Sequence, residues 1–213
     1  MELNKYIDHT NLKSDTTKEK IIKLCKEAKQ YGFYSVCVNP CFVSLAKKQL
    51  NGSEVKIACV IGFPLGANTT EIKKYEAQRA VLDGANELDM VINVGKLKDK
   101  DYVYVLNDIN AVCEAGVDVK VIIETSMLTN EEIIKMCEIV NLSNAKFIKT
   151  STGFIGDGAK AEHIELMKKH INQNKKIKAS GGIRDKQTFL KMINCGADRI
   201  GTSSGVSILS ENL

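Results

Sequence analysis

Three residues of this 213-residue chain stand where ionisable side chains are least expected. Lys149 closes the apolar stretch "KFIK" and is followed by "TSTGF". Lys178 precedes "ASGGIRD" in the same manner, and Asp89 interrupts the otherwise apolar "ELDMVINVG". A lysine at a strand end ordinarily extends its ammonium to water or pairs with a carboxylate. Two of them on consecutive strands are a different matter, because neighbouring strands lie only ~5 Å apart. If both point into one cavity, desolvation and mutual repulsion disfavour the charged form, and at least one titrates below the usual ~10.4. A neutral amine is a nucleophile, and its natural reaction is Schiff-base formation with a carbonyl. Spacing alone does not choose which lysine attacks.

Asp89 supplies a group that can move protons. Period-two alternation puts Asp89, Val91 and Asn93 on one face of a strand and Leu88, Met90 and Ile92 on the other. A buried carboxylate must be paired or protonated, so Asp89 is either a structural ion-pair partner of the lysines or their acid/base companion. Asp8, in "YIDHT" at the end of the first strand, is placed to join the same network. His9 beside it reads as a hydrogen-bonded structural residue. His163 and His170 fall on the outer side of a charged helix. Cys37 in "YSVCVNP" is the one cysteine expected to face a cavity, with no role assigned.

These side chains need a scaffold that brings strand ends together. Short apolar or β-branched runs recur at Tyr6–His9, Tyr34–Val38, Lys56–Ile61, Glu87–Asn93, Asp118–Glu124, Phe147–Thr150, Lys176–Ser180 and Arg199–Thr202. Between them lie segments of helical periodicity. "TTKEKIIKLCKEAKQYG" places Ile21, Leu24, Cys25 and Ala28 on one face and stops at Gly32. "NTTEIKKYEAQRAVLDG" opens with Asn and Thr cap candidates, carries Glu71 in its first turn and ends at Gly84. "DYVYVLNDINAVCEAG", "TNEEIIKMCEIV", "KAEHIELMKKHI" and "DKQTFLKMINCG" repeat the theme. Such alternation predicts βα units around a parallel sheet. Eight strands fit a compact (β/α)8 barrel, read as one domain over residues 1–213. A doubly wound sheet is the alternative, but its usual G-x-G-x-x-G fingerprint is missing, since "YIDHTNLKSD" has no glycine.

In a parallel barrel the active-site face is formed by the C-terminal strand ends and the loops after them. Lys149 and Lys178 fall there. Lys56 in "VKIACV" and Lys120 in "VKVIIE" fall at strand starts, and both are expected on the opposite face, in reach of solvent. Barrels also often hold phosphate in the loops after strands seven and eight. Here these are "SGGIRD" and "GTSSGVSIL", where Gly181 and Gly182 allow close backbone approach. Ser203 and Ser204 can donate hydrogen bonds and cap a short helix.

Bulk properties narrow the class. The charge is +4, with lysines scattered and no basic cluster interleaved with aromatics, so no nucleic acid is expected as a partner. Seven cysteines, none in C-x-x-C spacing, suggest neither a disulfide framework nor a zinc site. No apolar signal core or membrane-length run is present. A cytoplasmic, reduced setting is the expectation, with neither metal nor membrane.

The ordered series "IDHTNLK", "VCVNP", "IGFPLG", "ELDMVINVG", "KVIIET", "FIKTSTGF", "KASGGIRD" and "RIGTSSG" resembles the deoxyribose-phosphate aldolases, over about residues 6 to 205. "FIKTSTG" followed by "KASGGIR" at this spacing is the most specific part. The resemblance implies a (β/α)8 class I aldolase without cofactor, acting on phosphorylated sugars in deoxyribonucleoside catabolism. Its reaction is reversible cleavage of 2-deoxy-D-ribose 5-phosphate to glyceraldehyde 3-phosphate and acetaldehyde. Lys149 then looks like the Schiff-base lysine and Lys178 like the second lysine that lowers its pKa. Asp89 looks like the acid/base residue working with Lys178. Phosphate contacts are implied for Gly153, Gly181, Gly182, Ser203 and Ser204, with Asp8, Cys37 and Thr152 in support. A homodimer or homotetramer is likewise implied. Two positions depart from some family members. The chain ends "SILSENL" without their terminal tyrosine, its last tyrosine being Tyr104, and Phe154 replaces a lysine near the phosphate.

Overall fold

The computed structural model describes residues 2–210. Its eight parallel strands are β1 (Ile7–Asn11), β2 (Ser35–Val38), β3 (Lys56–Ile61), β4 (Glu87–Val91), β5 (Asp118–Ile122), β6 (Phe147–Lys149), β7 (Lys176–Ser180) and β8 (Arg199–Thr202). They pair in chain order and β1 closes on β8, so the barrel has no free edge. Helices α1 (Lys18–Tyr31), α2 (Val43–Gln49), α3 (Thr70–Asp83), α4 (Val94–Lys98), α5 (Tyr102–Cys113), α6 (Asn130–Leu142), α7 (Ala161–His170), α8 (Lys186–Asn194) and α9 (Gly205–Ser210) surround it. This is the expected (β/α)8 architecture. No helix among the described residues is long and apolar enough to cross a membrane.

Local chemistry explains the helix limits. Thr17 caps α1 by accepting the Lys20 N–H, and Gly32 ends it in a left-handed conformation that lets its own N–H reach the Ala28 carbonyl. The buried face is Ile21, Leu24, Cys25 and Ala28, as the spacing predicts. Thr129 and Glu132 form a reciprocal capping box on α6. Thr69 precedes α3 without a side-chain cap bond.

β3, β7 and β8 have the expected bounds, and the other five strands differ from the sequence expectation by one to two residues at an end. Asn93 does not extend β4; its side chain accepts the Lys96 N–H and caps α4, a short helix that periodicity did not disclose. Glu124 leaves β5 with φ 54° and ψ 68°, which no strand residue can adopt. The helix α2 was also illegible, its buried positions being only Val43 and Ala46.

The alternation of side chains sorts the core into two layers. Ile7, Val36, Ile57, Leu88, Met90, Val121, Ile148, Ile177 and Ile200 face outward into the packing between strands and helices. The other phase faces the barrel interior, and there the residues are largely polar: Asp8, Glu87, Asp89, Lys120, Lys149, Lys178 and Arg199 are all buried. Lys120 therefore corrects the sequence expectation. It is fully buried, whereas Lys56 is exposed as anticipated. The third position of β5 has inward phase, and a four-carbon stem carries its ammonium from the strand start into the middle layer.

Candidate active site

Asp89 is the centre of the interior cluster. Its Oδ2 accepts from Lys149 Nζ and from Lys178 Nζ, both at 2.7 Å, while Oδ1 accepts from Lys120 Nζ at 2.8 Å. Lys178 also donates to Asp8 Oδ2, and Asp8 Oδ1 accepts from the Ser35 hydroxyl at 2.7 Å and Arg199 at 2.9 Å. Glu87 closes the lower layer, 2.7 Å from Lys120 and 3.3 Å from Arg199. Register explains the clustering. Asp89 lies beside Lys120 on the β4–β5 ladder, Lys149 beside Lys178 on β6–β7, and Lys178 beside Arg199 on β7–β8.

The cluster holds four cations, Lys120, Lys149, Lys178 and Arg199, against three carboxylates, Asp8, Glu87 and Asp89. A buried cluster with an unmatched charge is costly, and losing one proton from one lysine restores neutrality. The environment selects which. Burial presses every one of these cations toward the neutral form, but for Lys178 the attraction of Asp8 and Asp89 outweighs it and holds the ammonium above its usual range. Asp89, Asp8 and Glu87 likewise hold Lys120 up, and Asp8 with Glu87 holds up Arg199. For Lys149 burial wins: Asp89 pulls upward, but the charge of Lys178 opposes it, and the pKa falls. Burial pushes Asp89 upward, yet its three lysines keep it well below the usual carboxylate range. Asp8 is kept low in the same way by Lys178 and Arg199.

Above this cluster opens a cleft of about 560 Å³. Lys149 lines it, together with Thr152, Gly153, Phe154, Gly181, Gly182, Arg184 and Ser203. Within the cluster, Lys149 is thus both the lysine with lowered pKa and the one that meets the cleft. Lys178 and Asp89 lie beneath, fully buried. Ser204 sits one residue behind the rim, its N–H donated to Thr202 Oγ1. The loops after β6 and β7 meet backbone to backbone. A Cβ on Gly158 (φ +79°) would come 2.4 Å from the Gly181 carbonyl, so only glycine permits this approach. Phe154 is half exposed and meets Phe63 edge-on at 5.2 Å.

Cys37 does face the interior. Its Sγ is 4.0 Å from Asp89 Oδ2 and packs with Leu12, Ala58 and Val60, and burial, then Asp89, raises the thiol to about 11. That makes it an apolar wall rather than a thiolate. His9 bonds Glu27 at 2.8 Å and packs against Phe33, the structural placement expected of it. His170 is exposed and His163 half-buried on α7. Sequence reasoning had missed Lys120, Glu87 and Arg199 as members of the cluster. The signal was present in their phase, which matches Asp89, Lys149 and Lys178, but phase becomes informative only when the inward face is known.

A family model described as DeoC/LacD family aldolase matches residues 3–211 of the chain. The chain is 54% identical over 215 positions to a deoxyribose-phosphate aldolase of Clostridium tetani, covering 100% of both. It is 58% identical to one of Thermococcus kodakarensis, covering 98% of this chain and 96% of that one. Among solved structures, a tetrameric deoxyribose phosphate aldolase from Aeropyrum pernix has TM-score 0.87 at 32% identity, covering 97% of this chain and 89% of the other.

Proposed function

The chain belongs to the DeoC/LacD family of aldolases, and from that premise we propose that it cleaves 2-deoxy-D-ribose 5-phosphate reversibly to D-glyceraldehyde 3-phosphate and acetaldehyde, with Lys149 as the Schiff-base nucleophile. The observation that carries the assignment is the pairing of excess charge with access. Of the four interior cations, only Lys149 is both driven toward neutrality and open to the cleft.

Neutral Lys149 attacks the aldehyde carbon of the open-chain sugar, and loss of water leaves an iminium. The iminium withdraws electrons, so the bond between its α and β carbons breaks as the β-hydroxyl loses its proton. Glyceraldehyde 3-phosphate departs, and the remaining enamine takes a proton and is hydrolysed to acetaldehyde. Asp89, bonded to both lysines through one oxygen, is placed to pass protons between Lys178 and the reacting nitrogen. Gly153, Gly181, Gly182 and Ser203 receive the phosphate in the loop arm of the cleft, with Ser204 supporting that turn. Thr152 lines the same cleft, Asp8 keeps Lys178 charged, and Cys37 supplies an apolar wall beside Asp89. The active form is a homodimer or homotetramer, supported by the A. pernix relative described as tetrameric and by exposed Ile72, Tyr75 and Val103; sedimentation measures it directly.

The test is borohydride trapping with acetaldehyde, followed by peptide mapping. A reduced two-carbon adduct is expected on the peptide containing Lys149. Lys149→Leu should lose both adduct and cleavage; full cleavage by that variant would remove Lys149 from the mechanism.

A further inference from the structure

Five carboxylates are buried among the described residues, Asp8, Glu87, Asp89, Asp108 and Glu124. The first four each lie within 4 Å of a lysine or arginine, whereas Glu124 has no cationic partner among the described residues. It sits at the mouth of the barrel after β5, 1% exposed, in the left-handed conformation. For a side chain other than glycine this conformation is strained and persists only where the surroundings enforce it. What holds the carboxylate is the neighbouring loop. Oε2 accepts both the Thr152 N–H, at 3.1 Å, and the Thr152 hydroxyl, while Oε1 takes the Ser126 hydroxyl at 3.4 Å. The next amide, of Thr125, bonds the Thr150 carbonyl, so the strained turn is clamped onto the loop that carries Lys149.

The consequence lies in the Thr152 hydroxyl. It has one proton and two lone pairs. The proton is committed to Glu124, and one lone pair receives the Phe154 N–H at 3.1 Å. What remains is a single lone pair on a residue that lines the same cleft as Lys149 and the glycine arm. Such a hydroxyl can only accept. We propose that Glu124 is a positioning residue that makes Thr152 an obligate hydrogen-bond acceptor, and so selects acceptor aldehydes bearing a hydroxyl next to the carbonyl. This rests on the aldolase reading above, in which that hydroxyl lies between the reactive carbon and the phosphate. Without Glu124 the Thr152 proton is free to rotate into the cleft, the hydroxyl is no longer a fixed acceptor, and the preference weakens.

The experiment measures condensation of acetaldehyde with two acceptors, glyceraldehyde 3-phosphate and the phosphorylated three-carbon aldehyde lacking the hydroxyl. The wild-type protein is compared with Glu124→Gly, Thr152→Val and the double variant. Glycine accepts the left-handed backbone, so Glu124→Gly deletes the carboxylate while relieving strain. The expected result is a loss in kcat/KM of about two- to tenfold on the hydroxylated acceptor, the scale of one neutral hydrogen bond, with the deoxy acceptor little changed. The double variant should lose no more than the larger single loss. Equal slowing on both acceptors, additive losses, or an unchanged Glu124→Gly would overturn the inference. Deuterium exchange into acetaldehyde, which needs only Lys149 and the enamine, is followed in parallel. Its absence from the wild-type protein would count against the Schiff-base reading itself, whereas exchange with unaltered acceptor preference counts only against Glu124.

Discussion

Lys149 and Lys178 carry the same functional group, share an oxygen of Asp89 and lie opposite each other on adjacent strands, yet their proton affinities diverge. The difference is the number of anions each touches. Lys178 has Asp8 as well as Asp89, while Lys149 has Asp89 alone and feels the charge of Lys178. The consequence for pH is direct. Adduct formation requires neutral Lys149, so its rate rises with pH through the pKa of that residue. Removing Lys178 removes a positive neighbour and therefore raises that pKa. In Lys178→Leu the rising limb of borohydride trapping against pH should move to higher pH; a limb that stays in place would show that the second lysine does not depress the first. At the same scale, the polar character of Lys149, Lys178 and Asp89 at strand positions was readable without coordinates. Asp8 was legible as a candidate member of the network, but which lysine it would hold was not, because it is far from Lys178 along the chain and comes within reach only when β8 closes on β1.

The loops after β6 and β7 act as one element. Gly153, Gly158 and Gly181 bring the two backbones close enough that Ala159 N–H bonds the Gly181 carbonyl at 3.1 Å. Gly158→Ala places a methyl group against that carbonyl at a positive φ. It should cost about 1–3 kcal/mol in denaturant unfolding. The KM for the phosphorylated substrate should rise more than kcat falls, because the displaced groups are the ones proposed to hold the phosphate rather than the reacting carbon. Steady-state kinetics on the purified variant separates these effects. The Gly-Gly pair at 181–182 was legible as a site of close approach. Gly158 was not, since nothing in its neighbours indicates that it would face another strand's loop.

On the scale of the whole molecule, a second buried ion pair stands apart from the site. Lys73 on α3 bonds Asp108 on α5 at 2.6 Å and the Val91 carbonyl at the end of β4 at 2.9 Å, and both side chains are fully buried. Thr70 completes the carboxylate's contacts at 3.0 Å. The pair ties two helices to the strand that carries Asp89. Lys73→Met leaves Asp108 buried without a cation and should lower unfolding free energy by about 3–5 kcal/mol, whereas Lys73→Met combined with Asp108→Leu should recover most of the loss. Urea unfolding of the three proteins decides it; equal destabilisation in single and double variants would show that the helix packing, not the stranded charge, sets the cost.

The order of the eight strands and of the longer helices between them, the barrel they form, and the positions of Lys149, Lys178, Asp89 and the Gly181–Gly182 pair at one end of it were all determined by the sequence itself. Periodicity, capping residues and side-chain type are local properties, and local properties are what a linear chain displays. The tertiary structure alone decided that Lys120, Glu87 and Arg199 belong to the same buried cluster, that Lys149 is its electrostatically odd member, and that Glu124 grips Thr152. Each of these depends on which face of a strand points inward and which distant segment arrives beside it. Charge balance in a low-dielectric interior is a property of the closed barrel, and it exists only once all eight strands are in place.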